Sequence, residues 1–166
     1  MTHEAFDKTT DLLGRLDTTQ LYPPFLERLN TLLNACAERG QLYVATSGFR
    51  SHAEQDALYA RGRTTPGMQV TKARGGQSMH NFGLAVDFAP HMLPVYKGKL
   101  RVDYHPYNYK ILGHEAALLG LEWGGNWTSI KDTPHIQWKL PGDMRLSDLD
   151  LAFRKNNILS EAWALL

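Results

Sequence analysis

The spacing of apolar residues along the chain predicts helices and strands in mixed order. A helix opens at Pro23-Pro24, since proline suits a first helical turn, and ends at Gly40. Its apolar positions recur at helical spacing and are Phe25, Leu29, Leu32, Leu33 and Cys36. The single cysteine therefore lies on an apolar helix face, where we expect a buried core residue.

The rest of the pattern alternates between short elements and turns. A strand is predicted over 42–46, and Ser51 caps a helix over 52–61 whose apolar residues are Ala53, Ala57, Leu58 and Tyr59. Residues 62–79 form a long glycine-containing loop. The remaining predicted elements are a helix over 3–16, a hairpin around 97–98, a helix over 106–119, a strand over 134–138, and helices starting near Ser147 and Ser160. This order predicts one α+β domain with a small antiparallel sheet flanked by helices.

The stretch 78–88 combines a histidine and an aspartate with a strand pattern. Successive side chains of a strand point to opposite faces, so His80 and Asp87 cannot share a face of one straight strand. Gly83 supplies a break, which places His80 in the loop before the strand. The core face of the strand is then predicted to hold Leu84, Val86 and Phe88, and an open face to hold Gly83, Ala85 and Asp87.

A second polar segment, 131–138, follows about fifty residues later. His135 and Gln137 share one face of its strand, while Ile136 and Trp138 face the core. Pro134 suits the strand entrance, so Asp132 lies in the loop just before it.

Two histidines and one carboxylate are a common ligand set of catalytic zinc. We therefore predict that His80, Asp87 and His135 bind one zinc ion, which leaves a fourth position for water. Asp132 is the candidate base, and Arg50 is the candidate donor to the developing oxyanion. A divalent metal ion other than zinc is an alternative occupant of this site.

Several polar residues admit more modest interpretations. His114-Glu115 lacks a second histidine four residues on, so we assign this pair to a helix surface. Ser78 is not part of a serine triad, and it either hydrogen-bonds within its loop or orients substrate. His91 is expected in an exposed loop or cap, or as a weak outer neighbour of the metal ligands. Trp127 belongs either to the core or to the cleft wall.

The bulk composition excludes several classes of protein. The 166 residues are 43% hydrophobic and 21% charged, which fits one globular domain, and the net charge of +1 argues against nucleic-acid binding. No run approaches the roughly 18 apolar residues of a membrane span, so no membrane insertion is expected. The polar start of the chain shows no targeting segment, and we expect synthesis in the cytoplasm.

Three motifs, between about residues 22 and 138, resemble those of the D-alanyl-D-alanine carboxypeptidase superfamily of zinc peptidases. The metal motif Ser-x-His-x-x-Gly-x-Ala-x-Asp matches residues 78–87. The upstream signature is similar to residues 47–51 together with Glu54, Gln55 and Leu58. Asp132-x-x-His135 resembles the form of the third motif that is typical of the L-alanyl-D-glutamate endopeptidases found among phage endolysins.

The resemblance implies a fold of the hedgehog and D-Ala-D-Ala-peptidase type. It implies zinc ligands at His80, Asp87 and His135, a base at Asp132, and Arg50 as substrate or oxyanion partner. With the residues already named, it leads us to expect substrate contacts at Ser78, Gln55 and Trp127. The implied reaction is cleavage of the L-Ala–D-Glu bond of peptidoglycan stem peptides by a zinc-bound water.

The same resemblance sets expectations for the organisation of the protein. We expect a monomer with one catalytic domain over 1–166, comprising a core at 22–138 and a helical extension at 139–166, without a separate wall-binding domain. Holin-type release would bring it to the wall. The alternatives are a D-alanyl-D-alanine carboxypeptidase or dipeptidase of the same fold, and a non-catalytic, zinc-stabilised wall-binding domain.

Overall fold

The computed structural model describes residue 13, residues 16–96 and residues 99–166, and within them an antiparallel sheet forms the centre. Its strands are β1 (Leu42–Ser47), β2 (Ala85–Tyr96), β3 (Lys99–Val102), β4 (Glu122–Trp123) and β5 (His135–Gln137). The strand order is β1-β2-β5-β4, and β3 pairs with the second half of β2. The predicted α+β class and antiparallel sheet are confirmed.

Five α-helices accompany the sheet in the described residues. They are α1 (Pro23–Glu38), α2 (His52–Ala60), α3 (Lys110–Leu118), α4 (Leu146–Asn156) and α5 (Leu159–Trp163). The helix predicted over 3–16 lies outside the described residues, apart from residues 13 and 16. Within the part of the chain that the structure describes, no helix combines the length and apolar content that a membrane span requires.

The larger hydrophobic core lies between α1, α3 and one face of the sheet. All five predicted apolar positions of α1 are buried, and Val86, Phe88 and Ile136 contact them from β2 and β5. Burial, with a smaller contribution from the Glu115 charge, raises the pKa of the Cys36 thiol to about 12. The cysteine is therefore the buried core residue that the helical spacing predicted.

A second cluster joins the C-terminal helices to the beginning of β2. Leu149 of α4 and Ala162 of α5 are buried together with Met79, Phe82, Leu84 and Ala85. The indole N–H of Trp163 also donates a hydrogen bond to the Phe82 carbonyl at 2.7 Å. The open face predicted for Ala85 is therefore wrong, because the C-terminal helices cover it, and Leu84 belongs to this cluster rather than to the face of Val86 and Phe88.

Two other predictions, both of exposed positions, fail. Glu115 is buried rather than on a helix surface, since its carboxylate accepts from Arg39 at the end of α1 at 2.8 Å. His91 is buried inside β2, where it pairs with both Leu42 and Val102, and is not in an exposed loop.

Helix α2 differs from its predicted packing. Ala53 and Ala57 are exposed, and its buried residue is Gln55. The capping box of Ser51 and Glu54 fixes the start of the helix as predicted. Hydrogen bonds of the Gln55 side chain to Arg50, Thr71 and Ala73 therefore anchor the inner face of α2.

Gly83 connects the histidine turn to β2 in a conformation that disfavours other residues. Its φ is +64°, and an added Cβ would overlap the carbonyl oxygen of Gln20. The N–H of Tyr22 also donates to the Gly83 carbonyl at 3.1 Å. The turn between His80 and Asp87 therefore requires glycine for two separate reasons.

We predict that Gly83→Ala lowers the free energy of unfolding more than Gly40→Ala does. Both glycines have a positive φ, which costs an L-residue roughly 1–2 kcal/mol, but nothing lies within 4 Å of a Cβ at Gly40. The overlap with Gln20 should add about 1–3 kcal/mol to the cost at Gly83. Urea unfolding of both variants measures the difference, and equal costs would contradict the overlap.

Candidate active site

Three neighbouring strands bring polar side chains into one row. Ser47 of β1 pairs with Asp87 of β2, and Asp87 pairs with His135 of β5. The register of β1 shifts between Ala45 and Ser47, so that Thr46 is the extra residue of a bulge and its hydroxyl donates to the Asp87 carbonyl at 3.1 Å. The bulge thus sets Ser47, rather than Thr46, opposite the aspartate.

His80 reaches the same row from outside the sheet. It lies in a short 3-10 turn, Met79–Phe82, which is entirely buried. Its Nδ1 lies 2.7 Å from the Gly48 carbonyl, and its Nε2 lies 3.4 Å from Asp87 Oδ1. Because a carbonyl only accepts, Nδ1 carries a proton, and in the neutral ring the lone pair is on Nε2. The turn thus brings His80 to the same side as Asp87, which one straight strand could not do.

His80, Asp87 and His135 form a group whose donor atoms converge. One ligand atom from each lies within 4.8 Å of the other two, and the imidazole centroids are 5.1 Å apart. Two imidazole nitrogens and one carboxylate oxygen are ligands that zinc accepts. The donor set therefore fits a divalent metal ion, and within the described residues it is the one group of this kind.

The two histidines control the charge of Asp87. Burial alone would raise the pKa of this carboxyl, but hydrogen bonds that His135 and His80 donate when protonated, together with the positive charge of the protonated rings, outweigh burial and hold the pKa well below its usual range. Burial acts to lower the pKa of His135, yet the hydrogen bond and charge of Asp87 raise it overall. Asp87 therefore stays ionised between the two rings.

Asp132 lies in the loop that leads into β5. Its N–H donates to the Gly124 carbonyl at 3.0 Å, and its own carbonyl accepts from the His135 N–H at 3.2 Å. Gly124 is tightly enclosed, since an added Cβ would lie 2.5 Å from the Asp132 carbonyl oxygen. Burial, followed by the negative charge of Asp87, raises the pKa of the Asp132 carboxyl, which suits a group that must exchange protons.

Arg50 follows β1 and is fixed by neutral partners. Its guanidinium donates to the Gln55 carbonyl oxygen at 2.8 Å and to the Ser47 hydroxyl at 3.1 Å. The Gln55 amide in turn donates to the Ala73 carbonyl at 2.8 Å and to the Thr71 hydroxyl at 3.3 Å. Gln55 therefore lies behind Arg50 and connects it to the long loop, and it does not line the cavity.

These groups open into a cavity of about 830 Å³. Arg50, His80, Asp87, Asp132 and His135 line it, together with Ser78, Trp127, Arg61, Glu122, Gln137 and Lys139. The Trp127 ring lies 5.1 Å from the His135 ring, so Trp127 belongs to the cleft wall. Two of these residues, Glu122 and Gln137, are polar neighbours of His135 on β4 and β5. The shared face of Gln137 and His135 was visible in the sequence, whereas no local pattern indicated Glu122.

The C-terminal segment also takes part in the cavity wall. Leu140, Gly142 and Leu146 line the same cavity as His80, Asp87 and His135. Residues 139–166 thus border the cavity as well as packing against the turn that holds His80.

Several known proteins are similar to this chain in sequence. The profile of the D-alanyl-D-alanine carboxypeptidase family matches residues 71–138. The peptidoglycan L-alanyl-D-glutamate endopeptidase CwlK of Bacillus subtilis is 42% identical over 127 residues, which span 72% of this chain and 74% of CwlK. The L-alanyl-D-glutamate peptidase of Listeria phage A118 is 38% identical over 69 residues, which span 40% of this chain and 22% of the phage protein.

A solved structure shares the fold at low sequence identity. It is that of a mutant of the vancomycin-resistance D,D-pentapeptidase VanY in complex with Zn(II). The TM-score is 0.52 with 17% identity, and the match covers 86% of this chain and 83% of that protein. At this identity the likeness establishes the fold alone.

We predict that Gln55→Leu both destabilises the protein and lowers its peptidase activity. The change removes the buried amide that binds Arg50 and the loop, and an unsatisfied buried group costs about 1–3 kcal/mol. Gln69→Leu is the control, because Gln69 is exposed and its amide makes one long hydrogen bond at 3.3 Å. Urea unfolding and a cell-wall turbidity assay measure both effects. A Gln55→Leu protein as stable as the control would contradict the anchoring role.

Proposed function

The chain belongs to the D-alanyl-D-alanine carboxypeptidase family of metallopeptidases, and on that premise we propose that it is a zinc-dependent peptidoglycan hydrolase that cleaves the L-Ala–D-Glu bond of stem peptides. The observation that carries the proposal is the convergence of His80, Asp87 and His135 beside Asp132 in one cavity. The 42% identity to an L-alanyl-D-glutamate endopeptidase supports the choice of bond.

In this proposal His80, Asp87 and His135 hold one zinc ion. His80 offers Nε2, since its Nδ1 proton is bound to the Gly48 carbonyl, and His135 offers Nδ1, which faces Asp87. A bound zinc ion would act as a Lewis acid on the scissile carbonyl and make water more acidic. The low pKa of Asp87 keeps this ligand ionised and ready to bind a cation.

Asp132 acts as the general base. Its side chain lines the cavity that contains the three ligands, and its loop is held by hydrogen bonds to Gly124 and His135. The carboxylate accepts a proton from the attacking water and then gives it to the departing amine. The raised pKa favours the first transfer, because it makes the carboxylate a stronger base towards the attacking water.

Arg50 stabilises the oxygen on which negative charge develops. Its guanidinium is held in place by Gln55 and Ser47, so little reorganisation is needed when the charge appears. Both partners are neutral, and among the described residues no carboxylate lies within ion-pair distance of Arg50, so its charge stays available.

The substrate is an acidic peptide. Stem peptides carry free carboxylates, and the cations Arg50, Arg61 and Lys139 border the cavity. We assign Trp127 and Ser78 to the part of the cavity wall that contacts the peptide.

As with endolysins, the enzyme would be made as a monomer in the cytoplasm of the host and reach the cell wall after holin-type release. Its single catalytic domain would include the extension at 139–166, because this segment borders the cavity.

The nearest alternative is a D-alanyl-D-alanine carboxypeptidase or dipeptidase of the same fold. The family takes its name from the carboxypeptidase reaction, which supports this alternative. A non-catalytic zinc-stabilised binding domain is disfavoured, since such a domain has no use for a partly buried carboxylate at Asp132 beside the ligands.

We predict that Asp132→Asn abolishes hydrolysis and leaves metal binding intact. Removing a general base lowers kcat by about 10²–10⁴-fold, while the three donor groups remain. Asp143→Asn is the control, because Asp143 is exposed and lies outside the cavity. Stem-peptide cleavage and metal content are measured for both. An active Asp132→Asn enzyme would remove this residue from the mechanism.

We predict that digestion of purified peptidoglycan releases peptides beginning with D-Glu, and that a chelator prevents it. Mass spectrometry of the products, with and without chelator and after addition of Zn²⁺, identifies the bond and the metal requirement together. Free D-alanine as the product would instead assign the carboxypeptidase reaction. Cleavage that resists metal removal would contradict the zinc mechanism.

A further inference from the structure

His135 uses its two ring nitrogens towards different partners. Nδ1 lies 3.0 Å from Asp87 Oδ1, inside the group of converging donor atoms. Nε2 lies 3.0 Å from the Gln137 side-chain oxygen, on the opposite side of the ring. The Gln137 amide nitrogen then donates to Glu122 Oε2 at 2.7 Å. A continuous hydrogen-bonded chain thus runs from Glu122 through Gln137 to His135.

The sheet builds this chain by register. Gln137 follows His135 by two positions, so both side chains lie on the same face of β5. Glu122 of the two-residue strand β4 pairs directly with Gln137. The short strand therefore places a carboxylate beside the glutamine, and both residues are half-buried.

The direction of every hydrogen bond in this chain follows from Glu122. An ionised carboxylate only accepts, so Gln137 must present its amide N–H to Glu122 and its oxygen to His135. The oxygen accepts a hydrogen bond from Nε2–H, so that the neutral ring, the form that binds a metal ion, carries its lone pair on Nδ1, on the side of Asp87 and His80. Exchange of the amide ends of Gln137 would set its N–H against the ring and lose the bond to Glu122.

We propose that Gln137 and Glu122 are positioning residues that hold His135 as a metal ligand through Nδ1, an inference that rests on the metal site proposed above. The two histidines differ in the kind of group that orients the ring. His80 is oriented by the Gly48 carbonyl, a backbone group that no substitution removes, whereas the orientation of His135 depends on two side chains. Outer partners of this kind typically contribute 10–100-fold to metal affinity.

The test compares the zinc affinity of the full-length variants by competition with a chromophoric chelator. Gln137→Leu should bind Zn²⁺ about 10–100-fold more weakly than the unchanged protein. Glu122→Leu should weaken binding less, and Glu122→Gln should stay within about threefold, because a glutamine oxygen still accepts from Gln137. Gln41→Leu is the matched control: Gln41 is also half-buried, and its amide binds the Leu42 and His91 carbonyls at the far end of β1.

Two further measurements separate positioning from general stability. Unfolding of the metal-free variants reports stability alone, and Gln41→Leu should lose stability without losing zinc affinity. Long-range ¹H–¹⁵N NMR of the metal-free protein, at a pH where the ring is neutral, should find the His135 proton on Nε2, and this single tautomer should be lost in Gln137→Leu.

Unchanged zinc affinity and tautomer in Gln137→Leu would overturn the positioning role, and a defect confined to KM would assign Gln137 to substrate contact instead. A protein that binds no Zn²⁺ even when unchanged would overturn the metal site itself, and the two failures are thereby distinguished.

Discussion

The site depends on one half-buried carboxylate held between two imidazole rings. Asp87 lies in the central strand, hydrogen-bonded to His135 across the sheet and facing His80 from the preceding turn. An ionised carboxylate that is partly removed from water is costly unless it is paired, and this pairing is what keeps Asp87 ionised. The bulge at Thr46, the left-handed Gly83 and the antiparallel register of β5 all serve this arrangement, because each sets the position of one of its three members.

The surroundings stabilise the ligand group from two sides. Behind His80, the C-terminal helices cover the turn and bury Phe82, while Asn81 binds the Arg50 carbonyl at 2.8 Å and ties the turn to the arginine. Beside His135, polar side chains rather than backbone groups provide the support. The site is therefore rigid at one histidine and dependent on the identity of neighbouring residues at the other.

The sequence predicted those features that arise from local spacing. The burial pattern of α1 follows from its helical period, and the position of His80 before the strand follows from the parity between His80 and Asp87 with Gly83 between them. Features made by distant segments were not predictable in this way. Ala85 is covered by helices sixty residues later, Glu115 is neutralised by Arg39 of another helix, and the two-residue strand β4 is too short to give any periodic signal. For the same reason Glu122 could not be associated with His135 before the register of the sheet was known.

The most direct test of this account is a crystal structure of the zinc-loaded protein with anomalous data collected at the zinc absorption edge. We predict one anomalous peak, coordinated by His80 Nε2, Asp87 and His135 Nδ1, inside the cavity that Asp132 lines. A zinc peak elsewhere, or one bound by His135 through Nε2, would contradict the arrangement of ligands on which the proposed chemistry depends.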